Sequence, residues 1–157
     1  METLLAQIAA ALRARKQTLA TAESCTGGLV GAALTSLPGS SAWYLGGIVA
    51  YSNALKIRLL GVPAEILDAR GAVSPETAQA MAIGARGAAG ADFAVSITGI
   101  AGPDGGTKEK PVGLVYMAVA APHGTATFTH RFSGSRAEIR GAAGETALRH
   151  LLDALGS

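Results

Sequence analysis

The sequence predicts an α/β protein, a three-layer α/β/α sandwich around a mixed, mainly parallel sheet, formed by one domain over residues 1–157. Three observations lead there. Strand-like segments alternate with helical ones over the early part of the chain, and such alternation builds a parallel sheet covered on both faces. Two strand-like runs, 112–121 and 125–132, then flank Pro122, His123 and Gly124, so an antiparallel hairpin joins that sheet. Finally, a chain of 157 residues can bury roughly 70% of its unfolded surface in one core.

Each element has a local reason. Leu4, Leu5, Ile8, Ala9 and Leu12 recur at helical spacing, and Arg13, Arg15 and Lys16 suit the negative end of the helix dipole. Residues 18–22 read as a short buried strand entering Glu23-Ser24-Cys25-Thr26-Gly27-Gly28, after which 29–37 is helical. A loop at 38–41 leads to a strand at 43–51, and Ser52 or Asn53 caps a short helix that contains Lys56 and ends near Gly61. Residues 62–71 are a connector with a helical turn. Ser74, Pro75 and Glu76 supply a capping serine, a first-turn proline and a first-turn acid for a helix to about Gly87. Residues 93–97 are a buried strand, and 98–110 form a glycine-rich loop too long for a simple turn. Past the hairpin, Ser135 and Glu138 have capping-box spacing, and Ile139, Ala142, Ala143, Leu148, Leu151, Leu152 and Leu155 give the last helix an apolar face. Ligands of such sheets gather at the carboxyl ends of strands, which makes the turns after Ala22, Tyr51 and Ile97 candidates for one shared edge.

Composition narrows the function. With 15% charged and 4% aromatic residues, disorder, a coiled coil and a single-strand nucleic-acid binder built on base stacking all fit poorly. The net charge is +2 without a lysine run or arginine stripe, so no nucleic-acid partner is expected, whereas a small anionic ligand stays open. Cys25 stands alone, which excludes an internal disulfide and a multi-cysteine metal site and fits a reducing compartment. Residues 1–16 place Glu2 first and the basic residues last, the reverse of a secretory signal. Residues 26–55 contain no charge, but Pro38, Gly39, Ser40 and Ser41 cut them into pieces too short to span a membrane. The expectation is a cytoplasmic protein, without a membrane partner, whose uncharged segment lies in the interior.

The chemistry-bearing strings each have a bland alternative. The common phosphate-loop, dinucleotide and zinc signatures are missing, and His123, His130 and His150 fall in a turn, a strand end and a helix. Ser24, Cys25 and Thr26 sit where a strand becomes a helix, so that amides at the helix start are available to an oxyanion or phosphate, unless Ser24 or Thr26 merely caps the helix and Cys25 is core. Lys56 follows the uncharged stretch. At an ordinary pKa only about one lysine in 2,500 is neutral at pH 7, but burial makes a serine–lysine pair chemically reasonable. A solvated lysine or a phosphate counter-ion is the alternative. The 98–107 string has the glycine content and punctuation of a shaped ligand loop, and Ser133 to Arg136, with Arg140 one turn on, suit an anion or ordinary capping.

Taken together, Ala22-Glu23-Ser24-Cys25-Thr26-Gly27-Gly28, the segment from Tyr51-Ser52-Asn53 to Lys56, Gly71-Ala72-Val73-Ser74, and the run from Ser96-Ile97-Thr98-Gly99 through Lys110-Pro111-Val112-Gly113 resemble the C-terminal domain of the CinA competence-damage family, in order and over nearly the whole chain. Stand-alone members of that family are similar to nicotinamide mononucleotide deamidases, which make nicotinate mononucleotide and ammonia in pyridine nucleotide recycling. The resemblance implies Ser24 as nucleophile and Lys56 as base. Tyr51, Asn53, Thr98 and Arg140 fall in segments that resemble the family's pocket, and no cofactor or metal is implied; Thr26, Gly27 and Gly99 of the glycine turns join them as substrate-binding candidates, with Arg136 or Arg140 expected on the phosphate. A homodimer is also implied. The alternatives are an amidohydrolase of another phosphorylated amide and a non-catalytic nucleotide- or partner-binding module.

Overall fold

In the computed structural model, which describes residues 1–156, the alternation resolves into an α/β/α sandwich. Helix α1 (Glu2–Arg15) leads to β1 (Leu19–Glu23), α2 (Leu29–Thr35), a turn of 3-10 helix at Ser40–Ala42 and β2 (Tyr44–Val49). Then follow α3 (Asn53–Leu60), α4 (Ala64–Arg70), α5 (Pro75–Ala89), β3 (Phe93–Gly99), β4 (Leu114–Ala121), β5 (Gly124–Arg131) and α6 (Arg136–Gly156). The sheet order is β2-β1-β3-β4-β5. β1 pairs in parallel with β2 and β3, while β4 runs antiparallel to β3 and β5, which makes the sheet mixed as expected. Among the described residues no helix is long and apolar enough to cross a membrane.

Strand alternation sorts the core into two halves. Leu19, Phe93, Val95, Ile97, Val115, Met117 and Val119 point to the face covered by α1, α2 and α6, where Ile8, Leu12, Leu34, Leu148 and Leu151 meet them. Ala20, Ala22, Ala94, Ala118 and Ala120 point the other way, onto Ala78, Met81, Ala82 and Ala85 of α5 and Leu60 of α3. Small side chains bring the layers close on that second face. A Cβ on Gly84 of α5 would collide with the Leu60 carbonyl oxygen, so glycine is required where α5 crosses α3.

The caps follow the sequence signals. Ser52 Oγ accepts from the Leu55 amide at 3.1 Å, Ser74 Oγ from Thr77 at 3.1 Å with Pro75 opening α5, and Ser135 Oγ from Glu138 at 3.2 Å. Two expectations need correction. The strand expected at 43–51 is only Tyr44–Val49, because Trp43 turns fully into the core. The uncharged segment is interior only in part: Val30, Leu34, Trp43 and Ala50 are buried, but Leu29, Leu45, Val49 and Tyr51 are 41–62% exposed. It forms α2 and the edge strand β2, and an edge strand has a neighbour on one side only.

Candidate active site

Ser24 leaves the carboxyl end of β1, held by its amide donating to Ile97 O on β3 at 3.0 Å. Alternation continued past Ala20 and Ala22 puts it on the alanine face, at 7% exposure. Cys25, the next residue, joins the bulky core. Burial pushes its thiol up to about 11, against smaller lowering effects of its backbone amide, Arg140 and Lys56, so the sulfur stays protonated.

Lys56 arrives from α3 with 1% exposure. Its Nζ lies 3.0 Å from Ser24 Oγ, 2.9 Å from Ala50 O and 3.1 Å from Tyr51 O. Among the described residues no carboxylate forms an ion pair with it. Burial therefore lowers its pKa from the ordinary lysine value. An ammonium there donates to all three oxygens; a neutral amine, with its two N–H groups on the carbonyls, would turn its lone pair to the serine hydroxyl.

The start of α2 is not an open anion site. The Glu23 carboxylate, 2% exposed, accepts the amides of Gly28 at 3.2 Å, Val30 at 3.0 Å and Gly31 at 3.0 Å. It satisfies the helix start that the sequence leaves open to a ligand. Gly27 donates to Ser24 O and Leu29 to Thr26 O, while the amides of Cys25 and Thr26 are taken neither by Glu23 nor by these turn bonds. Gly27 and Gly28 have φ of 60° and 106°, which only glycine adopts readily.

A cavity of about 170 Å³ opens over Ser24 and Lys56. Cys25, Ala72, Val73, Thr98, Gly99 and Ala101 line it, with Tyr51 and Arg136 completing the ring. Thr98 Oγ1 donates to Ala72 O at 2.7 Å, so this side chain secures the 71–74 loop that walls the pocket. Gly99 lets β3 approach β4, since a Cβ there would lie 2.7 Å from Val115 Cγ2. Arg136 is exposed and donates to Gly102 O at 2.7 Å and to the Tyr51 hydroxyl at 3.2 Å.

The structure thus gathers Ser24, Lys56, Tyr51, Thr98, Gly99 and Arg136 around one cavity. Four other sequence candidates do not line it. Asn53 opens α3 on the surface, Gly27 is exposed, and Thr26 is fully buried with its hydroxyl unpartnered. Arg140 donates instead to Cys25 O at 3.0 Å and Thr26 O at 3.1 Å. Sequence reasoning misses Glu23, whose signal is an acid at a strand end ahead of a glycine turn; the Ala50 and Tyr51 carbonyls have none. Among the described residues no cluster of three or more histidine, cysteine, aspartate or glutamate side chains is placed to hold a metal.

Fold and site together define an α/β sandwich with a buried serine–lysine pair at the carboxyl edge of its parallel strands. The chain belongs to the CinA C-terminal domain family, whose model matches residues 1–155. It is 55% identical over 139 residues to a CinA-like protein of Geotalea uraniireducens, covering 88% of this chain and 33% of the relative. With a CinA-like protein of Desulfotalea psychrophila it shares 49% over 154 residues, 98% of this chain and 36% of the relative. The chain therefore spans about a third of the length of these curated relatives. Among solved structures it is similar to the competence/damage inducible protein CihA of Agrobacterium tumefaciens, with TM-score 0.95 and 46% identity, covering 99% of this chain and 95% of that one. It is also similar to a CinA superfamily protein of Escherichia coli, with TM-score 0.92 and 34% identity over 95% of this chain and 87% of that one.

Proposed function

We propose that this domain hydrolyses the carboxamide of nicotinamide mononucleotide to nicotinate mononucleotide and ammonia. The observation that supports it is Lys56 Nζ, buried, without a carboxylate and 3.0 Å from Ser24 Oγ. Neutral Lys56 takes the serine proton as Oγ attacks the amide carbon. The tetrahedral oxyanion forms beside the Cys25 and Thr26 amides. The Lys56 ammonium then protonates the departing nitrogen, ammonia leaves, and an ester on Ser24 remains. A water, deprotonated by the same amine, cleaves that ester to the acid and restores the serine.

Substrate size supports a division of labour. The cavity of about 170 Å³ is below the roughly 300–1,000 Å³ of sites that enclose a drug-sized ligand. It admits the aromatic amide and leaves ribose and phosphate at the mouth, beside Tyr51 and Arg136. The test is ammonia release from purified protein supplied with the mononucleotide, the riboside or free nicotinamide. The reading expects the mononucleotide to be the best substrate by far. No ammonia from it would refute the reading, and riboside turned over equally well would remove the phosphate from it.

A further inference from the structure

A nucleophile at the end of a strand works only if the turn that follows holds it still. Ser24 begins a five-residue turn containing two glycines of positive φ, the least restrained backbone in the site. Two charged side chains from outside the cavity grip that turn. Glu23 ties the last residue of β1 to the first turn of α2 through three amides. Arg140, half-buried on α6, spreads its Nε and Nη2 over the successive carbonyls of Cys25 and Thr26.

The second grip has a directional consequence. In a trans peptide the C=O and the following N–H point opposite ways, so fixing Cys25 O towards Arg140 fixes the Thr26 amide away from it. Gly27 is part of the same fit, because a Cβ on it would stand 3.3 Å from the Arg140 guanidinium. Arg136, one helical turn earlier, faces the cavity mouth instead. Two arginines four residues apart on α6 thus have different targets.

We propose that Glu23 and Arg140 are positioning residues that set Ser24 Oγ against Lys56 Nζ, and that Arg140 does not bind the substrate's phosphate. The proposal rests on the serine–lysine reading, and it is tested on two readouts. One is steady-state hydrolysis of nicotinamide mononucleotide. The other is labelling by a fluorophosphonate: Ser24 Oγ forms a bond to phosphorus, fluoride leaves, and the serine proton passes to Lys56. The label reports on the nucleophile whatever the natural substrate.

In Arg140→Ala and Glu23→Gln, both kcat and the rate of Ser24 labelling are expected to fall about tenfold to a hundredfold, since misplacing a reacting atom by an ångström has that effect. KM stays within about threefold of the parent, because the mouth is untouched, a change of at most about 0.7 kcal/mol in binding. The pH dependence of labelling keeps its midpoint, because the base is unchanged. Arg140→Lys restores only part of the rate, as an ammonium cannot span two carbonyls in the guanidinium's fork. Circular dichroism melts set a temperature at which every variant is folded, so that unfolding does not imitate the effect. Labelling at the parent rate with a raised KM in Arg140→Ala would make Arg140 a phosphate ligand and overturn the proposal. Unchanged labelling and kcat in both variants would overturn it as well. Should the parent label at Ser24 yet release no ammonia, the substrate assignment fails while slower labelling of the variants still upholds the clamp. A parent that takes no label at Ser24 overturns both.

Discussion

The two faces of the sheet are packed by different rules. Beneath α1, α2 and α6, Phe93, Ile97 and Met117 interdigitate with Ile8, Leu12 and Leu148, so apolar area is large and the helices stand off by the length of a side chain. Beneath α5, alanines from β1, β3 and β4 meet alanines of the helix, and Gly84 lets the Leu60 carbonyl touch it. The polar groups of the candidate site, Ser24, Lys56 and Thr98, are buried where the alanine face reaches the carboxyl ends of the strands. Bulk on one side supplies the stability that a buried lysine on the other side draws down.

The largest test of that comparison is at the serine. Ser24→Ala is expected to lower ammonia release on the order of a thousandfold or more, measured against the mononucleotide. Cys25→Ala, on the bulky face and protonated, keeps activity of the parent's order. The reverse pattern would move the nucleophile to the wrong face.

Lys56→Met separates function from stability. Loss of the base is expected to lower kcat by about 10²–10⁴-fold. The sign of the stability change follows from linkage. Burial holds the folded pKa of Lys56 below its ordinary value, so between the two the unfolded chain binds more protons and stability rises with pH. At neutral pH the buried amine therefore opposes folding, and Lys56→Met raises stability by about 1–2 kcal/mol in urea unfolding at pH 7. That gain shrinks as pH climbs towards the ordinary lysine pKa. Activity of the parent rises over the same direction of pH, with its midpoint below the ordinary value. A loss of stability at pH 7 in Lys56→Met would show that its hydrogen bonds outweigh its desolvation.

A matched pair sharpens the contrast in packing. Leu148→Ala opens a cavity on the bulky face and costs about 2–5 kcal/mol, with kcat of the folded enzyme near that of the parent. Gly84→Ala adds one methyl where α5 meets α3 and costs about 1–3 kcal/mol. It also lowers kcat, because α3 carries Lys56. Equal kcat in both variants would mean that the close face does not set the lysine. The smallest effect is at the mouth: Arg136→Ala raises KM for the mononucleotide roughly tenfold and leaves KM for the riboside nearly alone.

Much of the fold is legible in the chain itself. Ser74-Pro75-Glu76 announces α5, the Pro122-His123-Gly124 turn announces the hairpin, and the stripe from Ile139 to Leu155 announces α6, because each signal acts within a turn or two of chain. The site is legible only in part. Ser24 and Lys56 stand in recognisable strings, but nothing local says that they touch across 32 positions. Arg136 and Arg140 look equivalent in sequence, yet the apolar stripe fixes the rotation of α6 so that one reaches the mouth and the other the turn. The charge-free run reads as interior by composition, whereas strand order leaves β2 at an edge.

By itself, the sequence determined most of the helices, strands and turns, though not every boundary, since capping, proline, glycine and apolar periodicity are short-range effects. It also determined that a serine and a glycine turn stand at the end of a strand and that a lysine lies within a short helix. The tertiary structure alone decided that Lys56 is buried, that its Nζ meets the Ala50 and Tyr51 carbonyls, and that Glu23 rather than a ligand occupies the start of α2. Desolvation and hydrogen-bond partners depend on which distant segments cover a group, and that is settled only when both faces of the sheet have closed over it.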